Sequence, residues 1–86
     1  MFSISANKGF QMTFANGWTV SVQFGAGNYC ANKYLVEFGK AAPTCVDAEI
    51  AAWDADGTWY DFEQDTVKGW QSTDNVASFI AYIAGL

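Results

Sequence analysis

GFQMTFANGWTVSVQF, residues 9–24, is the stretch that decides the fold. Phe10, Met12 and Phe14 alternate with polar residues. Trp18, Val20, Val22 and Phe24 alternate again beyond Ala15-Asn16-Gly17. A period of two marks half-buried strands, and two such runs around Asn-Gly read as a β-hairpin. Burial sets the register. A two-residue loop would place Phe14 opposite Thr19 and Met12 opposite Ser21, with the apolar rows on opposite faces. A three-residue loop places Phe14 opposite Trp18, Met12 opposite Val20 and Phe10 opposite Val22, all on one face. A one-residue slip flips every side chain, so burial selects the second register. The predicted turn is type I, followed by a left-handed Gly17 in a G1 bulge.

Working outward, residues 1–8 (MFSISANK) read as a short lead-in that can form an edge strand. Gly25, Gly27 and Asn28 mark a tight loop after the hairpin. Residues 34–38 (YLVEF) read as a third strand, and 39–44, with the only proline, Pro43, as a loop. Residues 45–53 read as a fourth strand, with Val46, Ala48, Ile50 and Ala52 on one face and Asp47, Glu49 and Trp53 on the other. After a turn at 54–57, residues 58–63 (TWYDFE) return as a fifth strand, and 66–70 (TVKGW) form a short sixth. Ser72 or Thr73 caps a final helix with Asp74 in its first turn. There Val76, Phe79, Ile80 and Ile83 fall at helical spacing and Gly85 at a C-cap position. About a dozen residues make a marginal helix alone, so the apolar stripe must pack on the sheet. The expected fold is α+β: one domain over 1–86, an antiparallel, strongly curved sheet of five or six strands, and one C-terminal helix packed on it.

Composition narrows the function classes. The chain holds nine carboxylates against Lys8, Lys33, Lys40 and Lys68, and no Arg. Binding to duplex nucleic acid or to anionic membranes needs basic patches that are missing here. There is no His, which removes the commonest general base and metal ligand, so the reading is a protein that is not an enzyme. A zinc site would have to use Cys30, Cys45 and carboxylates, a poor ligand set, so no metal and no cofactor are expected. The two cysteines, fifteen residues apart and in no CxxC spacing, read as free thiols, with a disulfide between them as the alternative. Residues 1–10 lack a basic region followed by an apolar run, and no stretch approaches the ~20 apolar residues of a membrane span, which reads as a cytoplasmic protein. Four Trp, four Tyr and seven Phe are too many for one small core, and each can bury ~150–250 Å². Some rings are therefore expected to face a ligand, a partner or a second copy, which makes a homo-oligomer the default.

The loop after the hairpin is the candidate ligand site. Gly25 and Gly27 let the backbone approach a ligand and let successive N–H groups form a nest for phosphate. Gln23, Asn28, Tyr29 and Lys33 would add hydrogen bonds and one positive charge. Trp53, on the face away from the core, would stack on a base-like ring. Asp54, Asp56, Asp61, Glu63 and Asp65 fit neither an EF-hand loop nor a glycosidase pair convincingly; they read as turn and solubility residues that can also attract a basic surface.

The run from Gly9 to Cys30, with Ala52-Trp53-Asp54-Ala55-Asp56-Gly57 and Asp65-Thr66-Val67-Lys68-Gly69-Trp70, resembles small uncharacterised bacteriophage proteins over most of the chain. The resemblance implies a phage protein of counter-defence type acting in the host cytoplasm. Joined to the glycine loop and the excess of rings, it leads to an expected role in sequestering a nucleotide-derived immune signal without cleaving it. The alternative is an acidic inhibitor that docks on a host defence protein, of the anti-CRISPR or anti-restriction type.

Overall fold

The computed structural model describes residues 1–35, 37, 40 and 44–86. Five strands, β1 (Phe2–Ser5), β2 (Gly9–Thr13), β3 (Thr19–Gln23), β4 (Ala48–Trp53) and β5 (Lys68–Gln71), lie in chain order across one antiparallel sheet, followed by helix α1 (Thr73–Ala84). The expected α+β architecture is present. The sheet is open, with β1 and β5 as its two edges, so the strong curvature towards a barrel is not reached.

The hairpin adopts the register that burial selects: Phe10 pairs with Val22 and Met12 with Val20. Phe14 N–H donates to Trp18 O and Gly17 N–H to Phe14 O, and Gly17 sits at φ 89° as the G1 position. The turn at Asp54 repeats this bonding, with Asp54 N–H to Thr58 O and Gly57 N–H to Asp54 O. The core forms where the inward rows of β3 and β4 meet the helix. Val20, Val22, Ala48, Ile50, Ala52 and Ile83 are buried, with Val76, Phe79 and Ile80 packed against them. Ser72 caps the helix by accepting from Asn75 N–H, and Gly85 N–H closes its other end on Ala81 O and Tyr82 O.

Four details depart from the sequence reading. The fourth strand starts at Ala48, not at residue 45, and Val46 is 78% exposed. The segment 58–63 does not run on as a strand: Trp59 bridges back to Trp53 and Tyr60 N–H bonds Ala52 O, and the pairing stops there. Beyond it Asp61 Oδ1 accepts from Gln64 N–H, and Glu63 and Gln64 take positive φ. Side-chain turn chemistry thus ends a segment whose composition favours a strand. The fifth strand is instead Lys68–Gln71, bulged where its register shifts between Ala48 and Ile50. Of the third-strand reading at 34–38, Tyr34 and Leu35 lie in a turn, whereas Val36 and Phe38 fall outside the described residues; so does most of the loop around Pro43. No helix among the described residues is long and apolar enough to cross a membrane.

Candidate functional site

The helix covers one face of the sheet, so the opposite face carries the outward rows: Gln11 and Thr13 of β2, Thr19, Ser21 and Gln23 of β3, and Glu49, Ala51 and Trp53 of β4. Small hydroxyl residues line its middle. Thr13 and Thr19 hydroxyls bond at 2.9 Å, and the Gln23 amide donates to the Ser5 and Ser21 hydroxyls. Two pairs of rings flank this floor. At one end Trp53 packs on Trp59 with centroids 4.9 Å apart; towards the other, Tyr29 stacks on Trp70 at 5.6 Å. Glu49, whose carboxylate holds the Tyr29 loop, is four residues from Trp53, about 13 Å along an extended strand. Trp59 is 47% exposed, Trp70 57% and Tyr29 40%.

The loop at 25–33 is anchored to this face by acids. Glu49 Oε2 accepts from Tyr29 N–H at 2.9 Å and Asp47 Oδ1 from Ala31 N–H at 2.7 Å. Asn28 Oδ1 accepts from Gly25 N–H, and Lys33 O accepts from Gly27 N–H. Asn32, buried, ties the loop to Phe24 O and Thr44 O through its amide. Trp70 N–H bonds Tyr29 O, and a side chain at Gly69 would collide with Tyr29. That close approach is what allows the ring stack.

Gly25, Gly27, Asn28, Tyr29 and Lys33 share one loop, which places the Lys33 ammonium 4.3 Å over the Tyr29 ring and 5.1 Å over Tyr34. Gln23 is adjacent, with its amide engaged by β1 and β3 hydroxyls. Trp53 lies at the far end, partnered by Trp59 and not by the loop. The N–H groups of Gly25, Gly27, Tyr29 and Ala31 do not form an open nest. Each already has an acceptor, and two of those acceptors are carboxylates. Trp59, Trp70, Asp47 and Glu49 are the residues that sequence reasoning did not assign to the site. Strand alternation reveals Glu49 and Asp47 as outward residues. Trp70 is hidden from that logic because it stands in the β5 bulge at φ 52°.

Beyond the Trp pair, residues 60–69 fold around a concavity of about 490 Å³ whose wall includes Asp61, Glu63, Asp65 and Lys68. The turn carboxylates shape it as well as charge it: Asp61 and Asp65 accept from Gln64 and Val67 N–H. An apolar cleft of about 410 Å³ opens on the helix side of the sheet, among Phe10, Val22, Phe24, Val76 and Ile80. The Sγ atoms of Cys30 and Cys45 and a carboxylate oxygen of Asp47 lie within 4.8 Å of one another. Two thiolates and a carboxylate can hold a borderline-soft divalent ion such as zinc, with a fourth position left for water. Burial opposes this by pushing the Cys30 thiol up to about 11, so an ion would first have to displace its proton.

Comparison with protein families, curated proteins and solved structures finds no match to this chain.

Proposed function

We propose that this protein acts by binding, docking its helix-free face on a basic surface of a protein partner. The observation that carries the reading is the pair of ring clusters, Trp53–Trp59 and Tyr29–Trp70, held half exposed on that face. Trp and Tyr with a desolvated centre supply most of the energy in protein interfaces. The acids supply the complement. Net charge is −5 with no Arg, and the concavity whose wall sets Asp61, Glu63 and Asp65 against the single cation Lys68 keeps an excess of carboxylates for a Lys or Arg side chain. The phage resemblance points to a host defence complex as the partner, whose nucleic-acid groove is the kind of basic surface an acidic face can occupy.

A nucleotide-type ligand is the second reading. Lys33 above Tyr29, beside the stacked Trp70, offers one cation next to a π-face. It ranks second because a phosphate entering the loop would meet the Glu49 and Asp47 carboxylates, which already hold the amides it needs. Neither reading uses a catalytic group.

The test is affinity capture from the bacterial host, comparing the wild type with Trp59→Ala/Trp70→Ala and with Asp61→Lys/Glu63→Lys. The expected result is a partner retained by the wild type, released at ~0.5 M salt, and held about tenfold more weakly by both variants. Retention that ignores salt and both double variants would overturn the reading. An unmodified nucleotide seen on the protein by native mass spectrometry, and lost in Lys33→Ala, would establish the second reading instead.

A further inference from the structure

Among the described residues, β1 is an edge strand without the usual protection. Its sequence, FSIS, has no charge, no proline and no bulge, whereas exposed edges are normally blunted by such features. The other edge, β5, is broken by its register shift and by Trp70 at positive φ. On β1, Phe2 is 76% exposed and Ile4 89%, with Met1 beside them at 88%.

The direction of the β1 backbone groups follows from one pair. Met1 and Thr13 exchange two hydrogen bonds of 2.8 Å, from the Met1 amino group to Thr13 O and from Thr13 N–H to Met1 O. Bonded and non-bonded pairs alternate along an antiparallel ladder, so Ser3–Gln11 and Ser5–Gly9 are also bonded pairs. Phe2 and Ile4 must then point their N–H and C=O groups away from β2, towards the open edge. Their side chains lie on the helix side, in the row of Met12 and Phe10.

We propose that two copies of the chain pair β1 to β1, antiparallel, about a two-fold axis through Ser3. In this register Phe2 lies opposite Ile4 of the second copy, and Ile4 opposite its Phe2. Four inter-chain hydrogen bonds engage every outward backbone group of these residues. Setting Ile4 opposite Ile4 instead places Phe2 opposite Ala6, which lies beyond β1 at positive φ, and leaves half of those groups unmatched. Shifting by one residue puts the apolar rows on opposite faces. The self-complementary pattern therefore selects both the occupant and the register, as an isologous interface requires.

Area supports a second copy. At ~200 Å² for a large side chain, Met1, Phe2 and Ile4 expose roughly 500 Å², and Phe10 and Met12 continue the surface towards the apolar cleft in which Phe10 forms a wall. A standard interface takes about 800 Å² per partner, which this row and the strand backbone approach. In the pair, the two helices flank one apolar trough, and the two helix-free faces lie side by side. The inference rests on β1 alone and stands or falls separately from the partner reading.

The experiment is sedimentation equilibrium with native mass spectrometry on the wild type, Phe2→Ser, Ile4→Lys and Ser3→Cys. The wild type should appear at twice the 9.4 kDa chain mass. Phe2→Ser and Ile4→Lys should weaken the dimer at least about tenfold, with unchanged circular dichroism because both side chains are exposed. Ser3→Cys should cross-link through residue 3 on mild oxidation, since Cα atoms of a non-bonded pair lie ~4.5 Å apart. A wild type that stays monomeric to about millimolar concentration overturns the proposal. So does a dimer that survives both edge variants, or one in which residue 3 does not cross-link.

Discussion

A thiol buried as completely as Cys30, with 2% of its surface exposed, keeps its proton well past the usual range. Desolvation pushes it from 9.0 up to about 11, with Cys45 and Asp47 adding to the rise. Because the folded value lies above the unfolded one, the stabilisation is complete below pH ~9 and is lost as pH rises towards ~11. The expected loss, on the order of 2 kcal/mol, is read by urea denaturation across that range and should shrink in Cys30→Ala. A remainder should persist, because burial and the neighbouring Tyr82 also raise Tyr60. Gly9 is constrained differently: any Cβ there would run into the Val22 carbonyl oxygen of the paired strand. Gly9→Ala should therefore cost roughly 2–3 kcal/mol in the same assay; a loss below about 0.5 kcal/mol would contradict the close approach. The chemistry of Cys30 and Gly9 was not legible in the sequence. It depends on which backbone crosses them, and neither position stands out by pattern. Gly25, Gly27 and Asn28 were legible as a loop, but the carboxylates that take the Tyr29 and Ala31 amides arrive from Glu49 in β4 and from Asp47 just before it.

The first hairpin and the last helix were the most readable elements, because each has a clean hydrophobic period over a full length. What the period does not reveal is that one serves the other. Asn16, in the hairpin turn, donates through its side-chain amide to Ile83 O, Ala84 O and Leu86 O, while its Oδ1 accepts from Trp18 N–H. It thus caps a helix end that has no basic residue in its last turn. Asn16→Ala should cost about 1–2 kcal/mol, measured by thermal unfolding. Asn16→Asp should cost more, since a carboxylate would replace the donor and face the negative end of the helix. Equal stabilities for Asn16→Asp and the wild type would show that the cap is inactive. The segment 58–63 misled in the opposite way. Its aromatic residues favour a strand, yet Asp54, Asp61 and Asp65 all accept backbone N–H bonds nearby and wind the chain into turns. Short acidic side chains compete locally with ladder pairing, and a count of strand-favouring residues does not register them.

At the scale of the whole molecule, the fold divides the work between two faces. One holds the helix and the core; the other presents the two ring pairs, while the acidic concavity of residues 60–69 lies beside Tyr60 and Phe62, which pack on the helix. Composition foretold that the rings could not all be buried, and it foretold the sign of the charge. It did not foretell which rings: Trp18 packs against the core, whereas Trp53, Trp59, Trp70 and Tyr29 gather on the helix-free face through a bulge and a loop. This grouping makes tryptophan emission a direct reporter of the proposed docking face. The decisive measurement is a fluorescence titration of the protein with an arginine-rich peptide and, separately, with a cyclic dinucleotide, each at ~10 mM and ~0.5 M salt. The peptide should change the emission at low salt, salt should abolish the change, and Asp61→Lys/Glu63→Lys should weaken it severalfold, while the dinucleotide has no effect. A dinucleotide that changes the emission, with a peptide that leaves it unaltered, would contradict docking on a basic protein surface.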